Sequence, residues 1–323
     1  MPPNISPRVA RELNVQLVAC YTEGVNDGIM QVFTNTSDGA AMPNVLECVR
    51  FAPSGTAENV YTFAPSDYTL SDDTAGDESP FEGVKMYEQR ISSGRFKKKE
   101  IVVDLADYMD DKVGQFGTLF HVLGTTTVVA PYRKVTAVMA GAGSLFSTID
   151  DVAFFSQAHP QRPKEIGGTP WSNDLIQPQG LTLANFGTAW AAMCTFPGED
   201  GKPVGSRPSH LCIEPADFGN AMDICFSDRP SGLGGGGNPW KGLVIPVVVP
   251  EWAGLGIYQL LDCHSSIERP FVYQEREALK LRPIYTNPED QWVRDNGKLK
   301  WNIQGRYNVG IGHPRRALRS RKS

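Results

Sequence analysis

The chain has 323 residues, enough for two compact domains or one domain with long extensions. Hydrophobic residues make up 41% and charged residues 21%, as in ordinary folded proteins, and no apolar run is long enough to span a bilayer. The net charge is −5 although the last nine residues hold five basic side chains and no acid, so the body is acidic and argues against a dedicated nucleic-acid-binding domain.

The N-terminus, Met-Pro-Pro-Asn-Ile-Ser-Pro, has neither the basic start nor the apolar core of a signal peptide, and the protein is expected to stay in the cytosol. A short helix is predicted from Pro7 to Cys20, with Val9, Leu13, Leu17 and Cys20 on one face. Beyond Tyr21 the segment turns polar and glycine-rich, which predicts an arm that buries little surface. Asn59–Phe63 alternates like a strand. An acidic stretch follows, including Asp72 and Asp73, and then a basic one of Arg90, Arg95, Lys97, Lys98 and Lys99. Blocks of opposite sign in one excursion invite contacts between copies of the chain.

Ile101–Leu105 reads as a strand. Residues 107–141 are the strongest helical region, with Asp107, Asp110 and Asp111 as cap candidates and Val113, Phe116, Phe120 and Leu123 at helical spacing. Pro131 should kink or restart that helix, and Gly141 and Gly143 should end it. Residues 142–180 read mostly as loop. A helix is predicted over Leu181–Cys194, a strand at Ser209–Ile213, a two-turn helix after Ala216, and strands at Leu243–Val249, Ile257–Leu261 and Phe271–Tyr273. Asn296-Gly297 predicts a hairpin between strands running from Gln291 to Val309. The basic tail reads as a solvated terminus or as a contact with an acidic neighbour or DNA.

No chemistry-bearing motif stands out. Gly232–Gly237 is glycine-rich but lacks the lysine and hydroxyl of a phosphate loop. Six scattered cysteines, Cys20, Cys48, Cys194, Cys212, Cys225 and Cys263, include no C-x-x-C pair and predict buried free thiols, without a metal site or cofactor. Ser144, His159 and Asp150 or Asp151 could be drawn as a hydrolase trio, yet no G-x-S-x-G surrounds Ser144. The expectation is a chain without catalysis whose role is assembly.

The order of segments carries a resemblance. Tyr87–Phe96 leads through Glu100–Asp104 and Asp110-Asp111 into the helix of Phe116, Leu119 and Leu123. Asp151–Pro160 contains F-x-x-x-H-P. Asp200-Gly201, Pro208–Pro215 and Asn238–Pro250 follow, then Pro270-Phe-Val-Tyr-Gln-Glu-Arg276 and a closing R-x-N-V-G-x-G at Arg306–Gly312. This order resembles the major head subunit family of Mu-like phages over about residues 55–313.

The resemblance implies an α+β protein with the Hong Kong 97-type phage capsid fold. Its parts would be an N-terminal arm at 1–52, an extended loop at 53–105, a peripheral domain with a long spine helix at 106–160, an axial domain at 161–268, and peripheral strands with a basic tail at 269–323. It implies hexamers and pentamers closing an icosahedral shell around double-stranded DNA, with scaffold, protease and portal as assembly partners, no membrane, and a place in the virion capsid after assembly in the host cytoplasm. Arg95, Lys97, Lys98 and Lys99 are the expected contacts to an acidic surface on a neighbouring subunit. Asp72, Asp73, Arg315 and Arg316 are further interface candidates. A soluble α+β hydrolase and a phage tail or decoration protein are the alternatives.

Overall fold

The computed structural model describes residues 7–33, 44–63, 86–94, 97–111, 114–163, 165, 167–230 and 237–322. Helix α1 (Pro7–Phe33) is followed by a 3-10 turn (Val45–Cys48), strand β1 (Val49–Pro53), and the hairpin of β2 (Glu58–Phe63) and β3 (Tyr87–Ser92). Strand β4 (Lys97–Asp104) runs into the short helix α2 (Leu105–Met109) and then the long helix α3 (Gln115–Gly141). Next come β5 (Asp174–Gln177), α4 (Leu183–Cys194), β6 (His210–Ile213), α5 (Phe218–Phe226), β7 (Ile245–Val248) and β8 (Ile257–Leu261). The chain closes with β9 (Phe271–Tyr285), α6 (Gln291–Asn296), β10 (Lys298–Ile311) and β11 (Ala317–Lys322).

Helix α1 runs past the predicted end at Cys20 because its glycines serve packing. It lies alongside α3 in the same direction, Gly24 against His121 and Gly28 against Thr125. A Cβ on Gly24 would sit 1.9 Å from the His121 carbonyl oxygen, and one on Gly124 would sit 2.2 Å from that of Tyr21. Only bare backbone lets the helices approach this closely. Thr125 donates to the Gly24 carbonyl at 3.0 Å, and His121 pairs with Asp27 at 2.8 Å. The segment that read as a polar arm is therefore half of a helix pair.

Helix α3 carries Pro131 in its interior without interruption. Its start also differs from expectation. Asp104 caps α2, accepting from Ala106 N at 2.9 Å, and Asp111 accepts from Phe116 N at 3.2 Å in the first turn of α3. Helix α4 begins at Leu183, two residues after the predicted Leu181, because Thr182 caps it by accepting from Asn185 N, and it buries Phe186, Ala189 and Met193.

Two sheets organise the rest. The first has the order β1-β9-β10-β4, with β1 parallel to β9 and β10 antiparallel to both neighbours. Helices α1 and α3 cover it, closing a core of Leu13, Leu17, Phe120, Leu123, Leu299 and Trp301. Trp301 meets Phe120 edge-on at 5.0 Å and donates from its indole to Asn14 at 3.1 Å. The second sheet has the order β5-β11-β8-β6-β7. One of its faces packs on α4 and α5 around Phe186, Leu211, Ile224 and Leu260. The other shares a core with the first sheet and the end of α3, where Trp252 and Gln259 donate to the carbonyls of Thr136 and Met139 at 3.1 and 2.9 Å.

Two expectations for the C-terminal segment need correction. Asn296-Gly297 is a helix end, since Gln291–Asn296 is α6 and Gly297 stops it at φ 63°, its N–H on the Val293 carbonyl at 2.8 Å. A residue with positive φ serves a C-cap as readily as a hairpin. The basic tail is a strand in the second sheet, where β11 pairs parallel with β5 and antiparallel with β8. Its charges are matched by distant acids. Arg319 forks onto Asp174 with two 2.9 Å contacts, and Arg316 reaches Asp262 and Glu268 at 2.7 Å each.

Candidate functional site: the anchor of the β2–β3 hairpin

Strands β9 and β10 carry the motifs around Gln274 and Arg306, and the hairpin is fastened to them. In a strand, residues two apart share a face. Arg306, Asn308 and Gly310 therefore line up beneath the hairpin. Arg306 donates to the Gly94 carbonyl and to Ser93 Oγ, both at 2.7 Å, and Asn308 donates to the Ser92 carbonyl at 2.8 Å. At Gly310 a Cβ would lie 2.6 Å from the Ile91 side chain, so glycine makes room for the hairpin's apolar face.

Gln274 of β9 is fully buried in this contact. Its Oε1 accepts from Asn59 at 3.0 Å and from the Tyr61 hydroxyl at 3.1 Å, while its Nε2 donates to the Ser92 carbonyl at 2.5 Å. One amide thus holds both hairpin strands. Burial is the main reason the Tyr61 hydroxyl titrates above its usual range. Gln89 of β3 makes a second clamp, accepting from Thr148 N at 3.0 Å and Ser147 Oγ at 3.3 Å in the loop after α3. Tyr61, Phe63, Tyr87, Ile91, Ile149 and Val272 fill the space between. Such a fully satisfied network fixes where the hairpin leaves the body.

The predicted interface residues fall in different places. Lys97, Lys98 and Lys99 lie on β4, the edge of the first sheet, and Lys99 is exposed. Arg95, Asp72 and Asp73 lie outside the described residues. Arg315 and Arg316, expected at a subunit contact, are occupied within the chain. Arg315 is buried, donates to the Gln161 carbonyl at 2.8 Å and lies over the Trp171 ring. The Gly-rich segment falls outside the described residues but for Gly237.

The hydrolase trio does not form. Both ring nitrogens of buried His159 are taken, by Asp150 at 2.6 Å and Asn173 at 2.9 Å. Asn173 donates its own amide to the Phe154 and Pro314 carbonyls, so its oxygen must accept from His159. Ser144 donates to the Gly141 carbonyl in its own turn. A base with no free nitrogen cannot activate a serine. Cys48, Cys212, Cys225 and Cys263 are buried free thiols as expected, Cys20 and Cys194 are only half-buried, and Cys48, His210 and Cys263 converge, which scattered positions in the sequence did not foretell.

The mixed helix-and-sheet fold is that of the tailed-phage capsid subunits, the Hong Kong 97-type fold. The chain matches the procapsid subunit of bacteriophage JBD30 with a TM-score of 0.52 at 16% identity, over 99% of this chain and 77% of that one. The bacteriophage PhiM1 mature capsid gives 0.55 at 13%, covering 90% and 91%, and the cyanophage P-SCSP1u capsid 0.54 at 11%, covering 91% and 94%. No curated protein sequence matches. The sequence model of the Mu-like prophage major head subunit gpT matches residues 163–253 and 254–323, about half of the chain and all of its second sheet. The chain belongs to that family and is a major capsid protein.

Proposed function

We propose that the subunit assembles as hexamers and pentamers into an icosahedral shell around double-stranded DNA, forming in the host cytoplasm with scaffold, protease and portal as partners. In this reading 1–52 is the arm, 53–105 the extended loop, 106–160 the spine-helix region, 161–268 the axial domain, and β9 and β10 the returning peripheral strands. Strand β11 joins the axial sheet instead. The role is structural, and the free energy that does the work comes from surface buried between copies. The observation that carries the proposal is the capsid fold over nearly the whole chain together with a hairpin whose described strands are clamped to β9 and β10.

Arg95, Lys97, Lys98 and Lys99 would meet an acidic surface on a neighbouring subunit, and Asp72 and Asp73 would offer the complementary sign. Charges of this kind set register and partner choice more than affinity. Arg315 and Arg316 are left out of that contact because their partners lie inside the subunit.

The test is electron microscopy of the full chain after size exclusion, with and without co-expressed assembly partners. Closed shells or rings of five or six subunits support the reading, and a monodisperse monomer under both conditions overturns it. Lys97, Lys98 and Lys99 changed together to Glu should abolish normal shells without unfolding the subunit. Normal shells from this variant would refute the charge contact.

A further inference from the structure

Three side chains that could each hold a soft metal, Cys48, His210 and Cys263, meet where the two sheets join, with Cys212 in the same core. Cys48 ends the 3-10 turn that leads into β1 of the first sheet. His210 and Cys212 are two apart on β6 of the second sheet and so share a face, and Cys212 points into the core common to both sheets. Cys263 lies two residues beyond β8, its backbone N–H on Ser209 Oγ at 2.9 Å. A ring nitrogen of His210 and the sulfurs of Cys48 and Cys263 all lie within 4.8 Å of one another, and all three residues are buried. Cys212 lies in the same buried core as Cys48 and Cys263.

We propose that Cys48, Cys212, Cys263 and His210 form a structural zinc site that joins the two sheets. Three sulfurs and one imidazole are a donor set that suits tetrahedral zinc, and burial of all four leaves no open position for catalysis. Zinc–sulfur bonds of about 2.3 Å and zinc–nitrogen bonds of about 2.0 Å place the ligand atoms roughly 3.5–3.8 Å apart. Small side-chain rotations therefore close the three converging donors around an ion, and Cys212, beside them in the core, completes the four.

The surroundings are also those of a ligand histidine. Glu47 Oε2 sits 3.2 Å from His210 Nε2, and a carboxylate commonly takes the N–H of the imidazole nitrogen that does not bind metal. Nδ1 now hydrogen-bonds with Ser209 Oγ at 2.8 Å and would exchange that contact for the ion. Glu47 is itself held, because its other oxygen accepts from Asn44 N at 3.2 Å in a reciprocal cap of the 3-10 turn. A disulfide would join only two of the three sulfurs and leave a thiol and the imidazole beside it. Ordinary core packing gives no reason to gather three thiols and an imidazole with its own carboxylate.

The full-length chain, expressed with added zinc and passed through metal-free buffer, would be assayed for zinc by elemental analysis. About one zinc per chain is expected, the stoichiometry of a closed structural site. The Cys48→Ala/Cys263→Ala double variant should lose it at least tenfold, while Cys225→Ala, in the separate core beside α5, should keep it. Wild-type zinc no higher than in the double variant overturns the proposal. If the double variant fails to fold, cobalt(II) added to the metal-stripped wild type decides. Thiolate-to-cobalt charge-transfer absorption with tetrahedral ligand-field bands supports the site, and their absence overturns it. Cys212→Ala should lower the charge-transfer intensity by about a third, since two of three thiolates remain, and unchanged intensity would remove Cys212 from the ligand set.

Discussion

The strand β11 and the β2–β3 hairpin are both fastened by buried polar side chains, but by opposite chemistry. Strand β11 is seated by charge, with Arg319 on Asp174 and, just before the strand, Arg316 on Asp262 and Glu268. The hairpin is seated by amides, Gln274 and Gln89, with Arg306 and Asn308 donating to neutral oxygens. Buried ion pairs add little net stability, yet breaking one leaves an uncompensated charge, whereas an amide clamp costs only its unmet hydrogen bonds. The same architecture therefore contains one joint that fails abruptly and one that loosens by degrees.

The largest effect should follow from Asp174→Ala. It strips the carboxylate from Arg319 and from Arg321, which reaches it at 3.2 Å. Loss of one partner of a buried pair costs about 3–5 kcal/mol. Denaturant unfolding of the subunit would measure it, and a loss under about 1 kcal/mol would mean that water already screens the pair. Because β5 and β11 pair directly, hydrogen exchange should rise first in those two strands.

Gln274→Leu should cost less, about 1–3 kcal/mol, the penalty for leaving buried donors without an acceptor. The Tyr61 hydroxyl and the Asn59 amide lose their acceptor, while the Ser92 carbonyl keeps Asn308 and the apolar packing of Phe63, Tyr87 and Ile91 persists. Exchange should quicken in β2 and β3 and stay unchanged in β11. Equal acceleration in both places would erase the distinction between the two joints.

The comparison also explains what could be read from the chain. Local signals located α4 by its Leu183, Phe186, Trp190 and Met193 stripe, and β8 within its observed bounds. Signals failed where a residue's meaning depends on a distant partner. Gly24 and Gly28 read as arm residues because Gly124 lies far along the chain. The arginines of the tail read as solvated because Asp174 and Asp262 are about 50 to 145 residues away. Gln274 sat inside a motif quoted for its resemblance, but a glutamine in an alternating strand gives no sign that it will clamp a hairpin. The cysteine–histidine group had one local trace, the H-x-C spacing of His210 and Cys212, which puts two ligands on one strand face. A search confined to C-x-x-C and H-x-x-x-H passes over it.

The smallest expected effect lies where the two joints meet. His313 lies two residues beyond β10, accepts from Arg315 N through Nδ1 at 3.1 Å, and packs edge-on against Phe63 of the hairpin at 5.4 Å. Burial first, and then the charges of Arg315 and Arg316, hold its pKa well below the usual 6.5. The folded subunit thus refuses a proton that the unfolded chain takes up near 6.5. Stability from this group is complete above pH 6.5 and is lost as pH falls below it toward the folded pKa. The slope cannot exceed about 1.4 kcal/mol per pH unit for one proton. Between pH 6.5 and 5.5 the loss should be about 1 kcal/mol, since the unfolded chain is only partly protonated at the upper end. Asp262, held low by His264 and Arg316 against the effect of burial, loses its contribution only at more acidic pH, below the ordinary carboxylate range. His313→Asn keeps an acceptor for Arg315 N but has nothing to titrate, so unfolding free energy measured across this window should lose its slope even if the variant is less stable throughout. A slope that persists in His313→Asn would assign the proton to another histidine and separate the hairpin from the acid sensitivity of the C-terminal joint.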